Sequence, residues 1–202
     1  MKRLFQKYKH AWVLLYAFIY FPWFFYLEKT VTRGYSIVQT ELDTKIPFIE
    51  IFIIPYLFWF AFMVITVMYF FFKDTVEFYR LIAFLVIGMT AFVVISTLWP
   101  NGQALRPTHF ERDNIFVDMV KHLYNGDTPT NVFPSIHVYN TIACFVAIRT
   151  SEHLKNIKWV QVSSAIITVL IILSTMFLKQ HSFLDAIGAG IFAIIAYVLV
   201  YG

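Results

Sequence analysis

Lys179-Gln180-His181-Ser182-Phe183-Leu184-Asp185 sets a lysine, a histidine and an aspartate between two apolar runs, about Trp159 to Leu178 before it and about Ser182 to Tyr201 after it. Each run is close to the roughly 17–25 residues that cross a bilayer. The heptapeptide therefore reads as a turn at a membrane surface between two spans. Ionisable groups in such a place are costly, and are functional candidates by default. With a helix beginning near position 181, His181 and Asp185 are i and i+4, on one face. The carboxylate then accepts the Nδ1 proton of the imidazole, leaving Nε2 unprotonated and directed outward as a nucleophile or base. A lone His-x-x-x-Asp also describes a helix-end histidine that caps or snorkels, so the remaining sequence has to decide.

Composition agrees with the membrane reading. The chain is 59% hydrophobic, 20% aromatic and only 14% charged, with a mean hydropathy of +0.68. Soluble domains carry about 25% charged residues. The net charge of +4 is spread between apolar runs, which argues for topology signals and against a nucleic-acid partner. The single cysteine, Cys144, lies in an apolar run, which excludes a disulfide framework within the chain and a thiol metal site. The first apolar run is long, aromatic and without a small-x-small cleavage site, unlike a signal peptide.

The fold class expected is all-α: a polytopic membrane bundle of six transmembrane helices forming one domain over residues 1–202. The spans are about Ala11 to Leu27, Phe48 to Phe72, Leu81 to Trp99, Pro134 to Ile148, Trp159 to Leu178 and Ser182 to Tyr201. Span four is short and interrupted by His137 and Asn140. The longest polar stretch, Pro100 to Phe133, is the expected home of recognition. Lys2, Arg3, Lys7 and Lys9 precede span one, Lys73 and Arg80 join spans two and three, and Arg149, Lys155 and Lys158 join four and five. These basic groups mark the cytoplasmic face, so both termini are expected in the cytoplasm of a multi-pass cell-membrane protein. Lys29, Arg33, Lys45, Arg106, Arg112, Lys121 and Lys179 lie on the opposite face. Arg106, His137, Lys179, His181 and Asp185 then gather, from three places in sequence, at the non-cytoplasmic mouth.

Asn131-Val132-Phe133-Pro134-Ser135-Ile136-His137 supplies the second half of the site. Proline suits a helix's first turn, and Ser135 sits where backbone amides lack intrahelical acceptors. Such a helix start binds phosphate through its amides and dipole. His137 lies within that first turn. Arg106, in Leu105-Arg106-Pro107, carries a guanidinium suited to gripping phosphoryl oxygens, though alone it reads as an arginine touching lipid headgroups.

Together these residues resemble the type 2 phosphatidic acid phosphatase superfamily, the membrane relatives of vanadium haloperoxidases. Its motifs are Lys-x6-Arg-Pro, Pro-Ser-x-His and Ser-Arg-x5-His-x3-Asp. The second is intact as Pro134-Ser135-Ile136-His137. The third appears as Ser174-Thr175 followed by His181 and Asp185 at the family spacing, and the first survives as Arg106-Pro107. Motifs fall within residues 100–186. Trp99 stands where the family has its lysine and Thr175 where it has its arginine; Lys179 is the expected replacement for one of these cations.

The resemblance implies catalysis by His181, His137 and Asp185. His181 attacks phosphorus, Asp185 orients it, and His137 protonates the leaving alkoxide and then activates water. Arg106, Ser135, Lys179, Ser174 and Thr175 are the expected phosphate-binding set. No metal and no cofactor are expected, since the motifs hold one carboxylate; Glu111, Asp113, Asp118 and Asp127 read as solvated loop charges. Phe, Tyr and Trp read as bilayer-facing and interfacial residues more economically than as a lipid slot. The function implied is a lipid phosphate phosphatase acting on phosphatidic acid, a prenyl diphosphate or a related lipid. The alternatives are a phosphotransferase of the sphingomyelin or inositol phosphorylceramide synthase type, and a non-enzymatic transporter or scaffold. The partners are the membrane lipid substrate and the bilayer; oligomeric state is left open.

Overall fold

A computed structural model describes Gln6 and residues 8–202. Lys2, Arg3 and Lys7, which carry part of the orientation reading, lie outside the described residues. After a 3-10 stretch at Lys9–Tyr16, helix α1 runs Ala17–Thr30; β1 (Ser36–Ile37), the short α2 (Glu41–Lys45) and a 3-10 turn at Glu50–Phe52 lead into α3 (Ile53–Lys73). Then come α4 (Thr75–Leu98), β2 (Asn101–Gly102), α5 (Ile115–Gly126), α6 (Ile136–Thr150), α7 (Lys158–Phe177) and α8 (Phe183–Tyr201).

Among the described residues, five helical stretches are long and apolar enough to cross a membrane: Lys9–Thr30, Glu50–Lys73, Thr75–Leu98, Lys158–Phe177 and Phe183–Tyr201. Six were expected. The remaining one, about Pro134 to Ile148, corresponds to α6, whose 15 residues fall short of the roughly 20 that span the hydrocarbon core. Phe18, Phe60, Ile65, Ile194 and Leu199 project from the long helices with most of their surface uncovered. A rind of this kind requires lipid around it. The chain is a membrane-embedded helical protein.

Helix α6 is the pillar of the bundle. Tyr139, Ala143, Cys144 and Ala147 are buried on it, and it packs on α3, α4, α7 and α8. It meets α4 at Gly88, where an added Cβ would lie 2.0 Å from the Tyr139 ring; the Tyr139 hydroxyl donates to the Phe84 carbonyl at 2.8 Å. The α3–α4 hairpin turns on Asp74 alone. Its Oδ1 accepts the Val76 and Glu77 amides at 3.0 and 3.1 Å, satisfying two donors that open a helix.

Small elements absent from the expected architecture tie the loops together at one end. β1 pairs in parallel with β2, and Gly102 bridges to Thr130. Asn101, fully buried, accepts the Val132 and Phe133 amides on Oδ1, both at 2.9 Å. The segment 100–133, expected to be a polar loop, contains α5, capped by Asn114 through the Phe116 and Val117 amides. These ties fix the chain immediately before α6 and so fix where His137 points.

Candidate active site

His181 stands between two partners. Its Nδ1 is 3.4 Å from Asp185 Oδ2, and its Nε2 is 3.4 Å from His137 Nδ1. Both separations are at the long end of hydrogen bonding, as catalytic contacts often are before substrate binds. His181 and Asp185 are buried. The pairing does not arise as the sequence suggested, from two residues on one helical face. Helix α8 starts at Phe183 with Ser182 as its cap, so His181 precedes the cap and Asp185 is the third helical residue. Asp185 Oδ2 also accepts the Ser182 amide at 2.8 Å, completing a capping box. One oxygen thus starts the helix and faces the imidazole, while Oδ1 is buried without a partner.

The turn carrying His181 is set by the end of α7. The Gln180 and His181 amides both donate to the Thr175 carbonyl, at 2.9 and 3.0 Å. Lys179 takes φ of 53°, the left-handed conformation common just past a helix end but unusual for a lysine. Its ammonium donates to the Asp43 carbonyl at 2.6 Å and to the Ile46 carbonyl. Burial pushes the Lys179 ammonium pKa down, against the opposing pull of Asp43. Lys179 therefore has different partners from the phosphate expected of it. Ser174 and Thr175 are fully buried, and their hydroxyls bond back to Ile171 and Ile172 of their own helix. What Thr175 contributes to the turn is its carbonyl, not its side chain.

Arg106 is similarly occupied. Nη1 donates to the Tyr124 and Asp127 carbonyls (3.2 and 2.8 Å), and Nη2 to the Thr128 carbonyl and Gln180 Oε1 (3.2 and 2.6 Å). The guanidinium lies 4.6 Å from the Tyr124 ring centre. It fastens the end of α5 to the His181 turn, and only its buried Nε is without a partner. Trp99, in the family lysine's place, donates from Nε1 to Ser36 Oγ at 3.0 Å.

Ser135 caps α6, its Oγ accepting the Val138 amide at 3.4 Å while its own amide donates to the Asp185 carbonyl at 3.1 Å. Through that last bond the two helix heads carrying the histidines touch directly. His137 is flanked by Trp59 and Tyr56, with ring centres at 4.4 and 4.8 Å. A cleft of about 410 Å³ runs outward from it, lined by Tyr20, Phe24, Tyr56, Trp59 and Met63, with Asp127 at its edge. Phe21, Leu57 and Phe60, also lining it, are exposed. Some of the aromatics read as bilayer-facing thus form an apolar slot ending at His137.

Three residues that sequence reading passed over belong to this site. Asp127 is a half-exposed loop charge that also has partners at the site: Gln180 Nε2 donates to its Oδ2 at 3.1 Å, and Arg106 is 3.7 Å away. Burial pushes its carboxyl pKa up, against the pull of Arg106. Gln180 itself links Arg106 and Asp127. Asp43, on α2, accepts from Ser182 and Phe183; Thr40-Glu41-Leu42-Asp43 is a capping box visible in the sequence, but its long-range partners are not. Among the described residues, no three His, Cys, Asp or Glu side chains gather where they could hold a metal.

A family model described as the PAP2 superfamily matches residues 101–202. No curated protein and no solved structure matches the chain.

Proposed function

Because this chain belongs to the PAP2 superfamily, we propose that it cleaves the phosphoester of a membrane lipid through a phosphohistidine on His181. The observation that carries this is the line Asp185–His181–His137, with 3.4 Å at each step, at the inner end of an apolar cleft. His181 Nε2 attacks phosphorus as the P–O bond to the lipid alkoxide breaks, and His137 gives that alkoxide its proton. Asp185 holds the Nδ1 proton and stabilises the imidazolium. Water, deprotonated by His137, then displaces the phosphoryl group and frees His181. First-turn amides of α6, with Ser135, are oriented to hold developing phosphoryl charge. Arg106, Lys179, Ser174 and Thr175 serve this site by shaping the turn, with Arg106 and Lys179 adding positive field. The acyl or prenyl chain lies in the cleft among Tyr20, Phe24, Tyr56 and Trp59. We place both termini in the cytoplasm, with α6 as a sixth crossing and the histidines on the non-cytoplasmic side.

A second reading, transfer of a phosphoryl headgroup to an alcohol, is favoured by the committed cations. All four terminal N–H donors of Arg106 and two of Lys179 are spent on protein acceptors, a setting that suits a singly charged phosphodiester over a dianionic monoester.

The test is purified protein in mixed micelles with a panel of phosphatidic acid, prenyl diphosphates and phosphodiester lipids, following free phosphate and new headgroup lipids separately. Phosphate release that survives EDTA and vanishes in His181→Ala supports hydrolysis. Headgroup transfer without free phosphate selects the second reading, and neither product from any lipid refutes both.

A further inference from the structure

Asp43 lies outside the half of the chain that the family model covers, on a five-residue helix between the first two long helices. Its side chain is 1% exposed. Burying a carboxylate is costly unless hydrogen bonds replace its water, and Asp43 has four. Oδ2 accepts the Thr40 amide (2.7 Å), the Thr40 hydroxyl (3.0 Å) and the Ser182 hydroxyl (2.7 Å); Oδ1 accepts the Phe183 amide (2.7 Å). The Asp43 carbonyl takes the Lys179 ammonium at 2.6 Å. One residue therefore grips the chain on both sides of His181, at Lys179 before it and at Ser182 and Phe183 after it.

We propose that Asp43 is a positioning residue of the catalytic centre, fixing the Lys179–Phe183 turn so that His181 faces His137 and adding negative charge behind the His181–Asp185 pair. This rests on the proposed role of His181. The links are short. The Ser182 hydroxyl bonds Asp43, the Ser182 amide bonds Asp185, and Asp185 faces the imidazole. With the Thr40 amide on one oxygen and the Phe183 amide on the other, only the ionised carboxylate accepts from all four donors. An ionised group here also favours the imidazolium that His181 becomes on bonding phosphorus. In its acid form Asp43 would lose an acceptor; its four hydrogen bonds outweigh the effect of burial and hold its pKa below the usual carboxylate range. The other charged or titratable groups around the His181 ring are Asp185 on α8, His137 on α6, Asp127 and Arg106 from the loop bounding α5, and Lys179 in the turn itself.

The decisive variant is Asp43→Asn in the full-length protein, nearly isosteric but uncharged. Two measurements are made in detergent: steady-state kinetics on the best lipid of the panel, and NMR of 15N-histidine protein with the His181 signal assigned by its loss in His181→Gln. The expected result is a fall in kcat of about 10–100-fold with KM within about twofold of wild type. The pH at which the His181 ring takes up its proton should also move down, because a neighbouring negative charge favouring the cation is gone. A folded Asp43→Asn protein with wild-type kcat and an unmoved His181 titration overturns the proposal. Should Asp43→Asn fail to fold, Ser182→Ala decides. That change keeps the charge and breaks the link, with the modest loss of thermal stability that removing a helix cap brings, so reduced kcat in protein still folded at the assay temperature supports positioning, and wild-type kcat overturns it. The NMR titration does not need turnover. A chain that cleaves no lipid therefore refutes the proposed function while the coupling of Asp43 to His181 is still read.

Discussion

The two helix heads that carry the histidines begin alike and are wired oppositely. Each has a serine cap, Ser135 on α6 and Ser182 on α8, with a histidine within two residues of it. At α8 the opening amides are taken: Ser182 by Asp185, Phe183 by Asp43 and Leu184 by the Ser182 hydroxyl. At α6 the cap serves Val138, and the amides of Ile136 and His137 have no acceptor within the helix. A helix start whose donors are satisfied internally cannot also cradle an anion. On the proposed mechanism the difference divides the work: α8 would hold the nucleophile rigidly, and α6 would present donors to the phosphoryl group.

The largest effect that tests this division is on the histidines themselves. His181→Ala should abolish activity on every substrate, because it removes the atom proposed to bond phosphorus. His137→Ala should lose far more activity on a lipid than on p-nitrophenyl phosphate, whose leaving group departs without a proton. With the aryl ester, a product burst and a phosphoenzyme stable to alkali and labile to acid should accumulate in His137→Ala and be missing in His181→Ala. The reverse labelling would exchange the two heads.

Next in size are the amides. Proline is well tolerated at the first helical position and removes one N–H. Ile136→Pro should therefore cost about 2–4 kcal/mol of transition-state stabilisation if that amide meets a phosphoryl oxygen, while the thermal midpoint holds. Phe183→Pro removes the donor to Asp43, so it should lower the thermal midpoint as well as kcat. Equal kinetic and stability profiles for the two prolines would erase the contrast.

Where the two heads meet, Gly188 of α8 accepts the Phe133 ring. An added Cβ would lie 2.5 Å from Phe133 Cε2. Gly188→Ala should destabilise by about 1–3 kcal/mol through overpacking, read as a lower midpoint of unfolding in detergent. The smallest expected effect is acid sensitivity at the α8 head. Asp43 is held below its usual pKa, so its contribution to stability is fully present above the unfolded carboxylate value of about 3.9. It is lost as pH falls through the lower folded value. Asp43→Asn should flatten the stability profile in that acid window and leave the neutral range parallel to wild type.

The meeting of the two histidines and the aspartate is legible in the sequence because motif spacing brings them together. His137, His181 and Asp185 do converge. The local geometry was less so: the i, i+4 reading put His181 inside a helix that starts two residues later. Lys179 and Arg106, expected from the sequence to hold phosphate, have chiefly backbone carbonyls as acceptors, and a carbonyl has no letter in the sequence. Asp43 was hidden for another reason, since Ser182 and Phe183 are 139 and 140 residues away. The long apolar helices follow from hydropathy, whereas α6 gives a weak signal because it is 15 residues long and buries Asn140 and Thr141 against protein.

If the substrate is a lipid, as proposed, the cleft lined by His137, Phe21, Leu57 and Phe60 changes what substrate concentration means. A lipid arriving by that route diffuses in two dimensions and never leaves its leaflet. The rate then follows the mole fraction of substrate among the bilayer lipids. Adding inert lipid at constant bulk substrate slows the enzyme, and adding more vesicles of the same composition does not speed each molecule up.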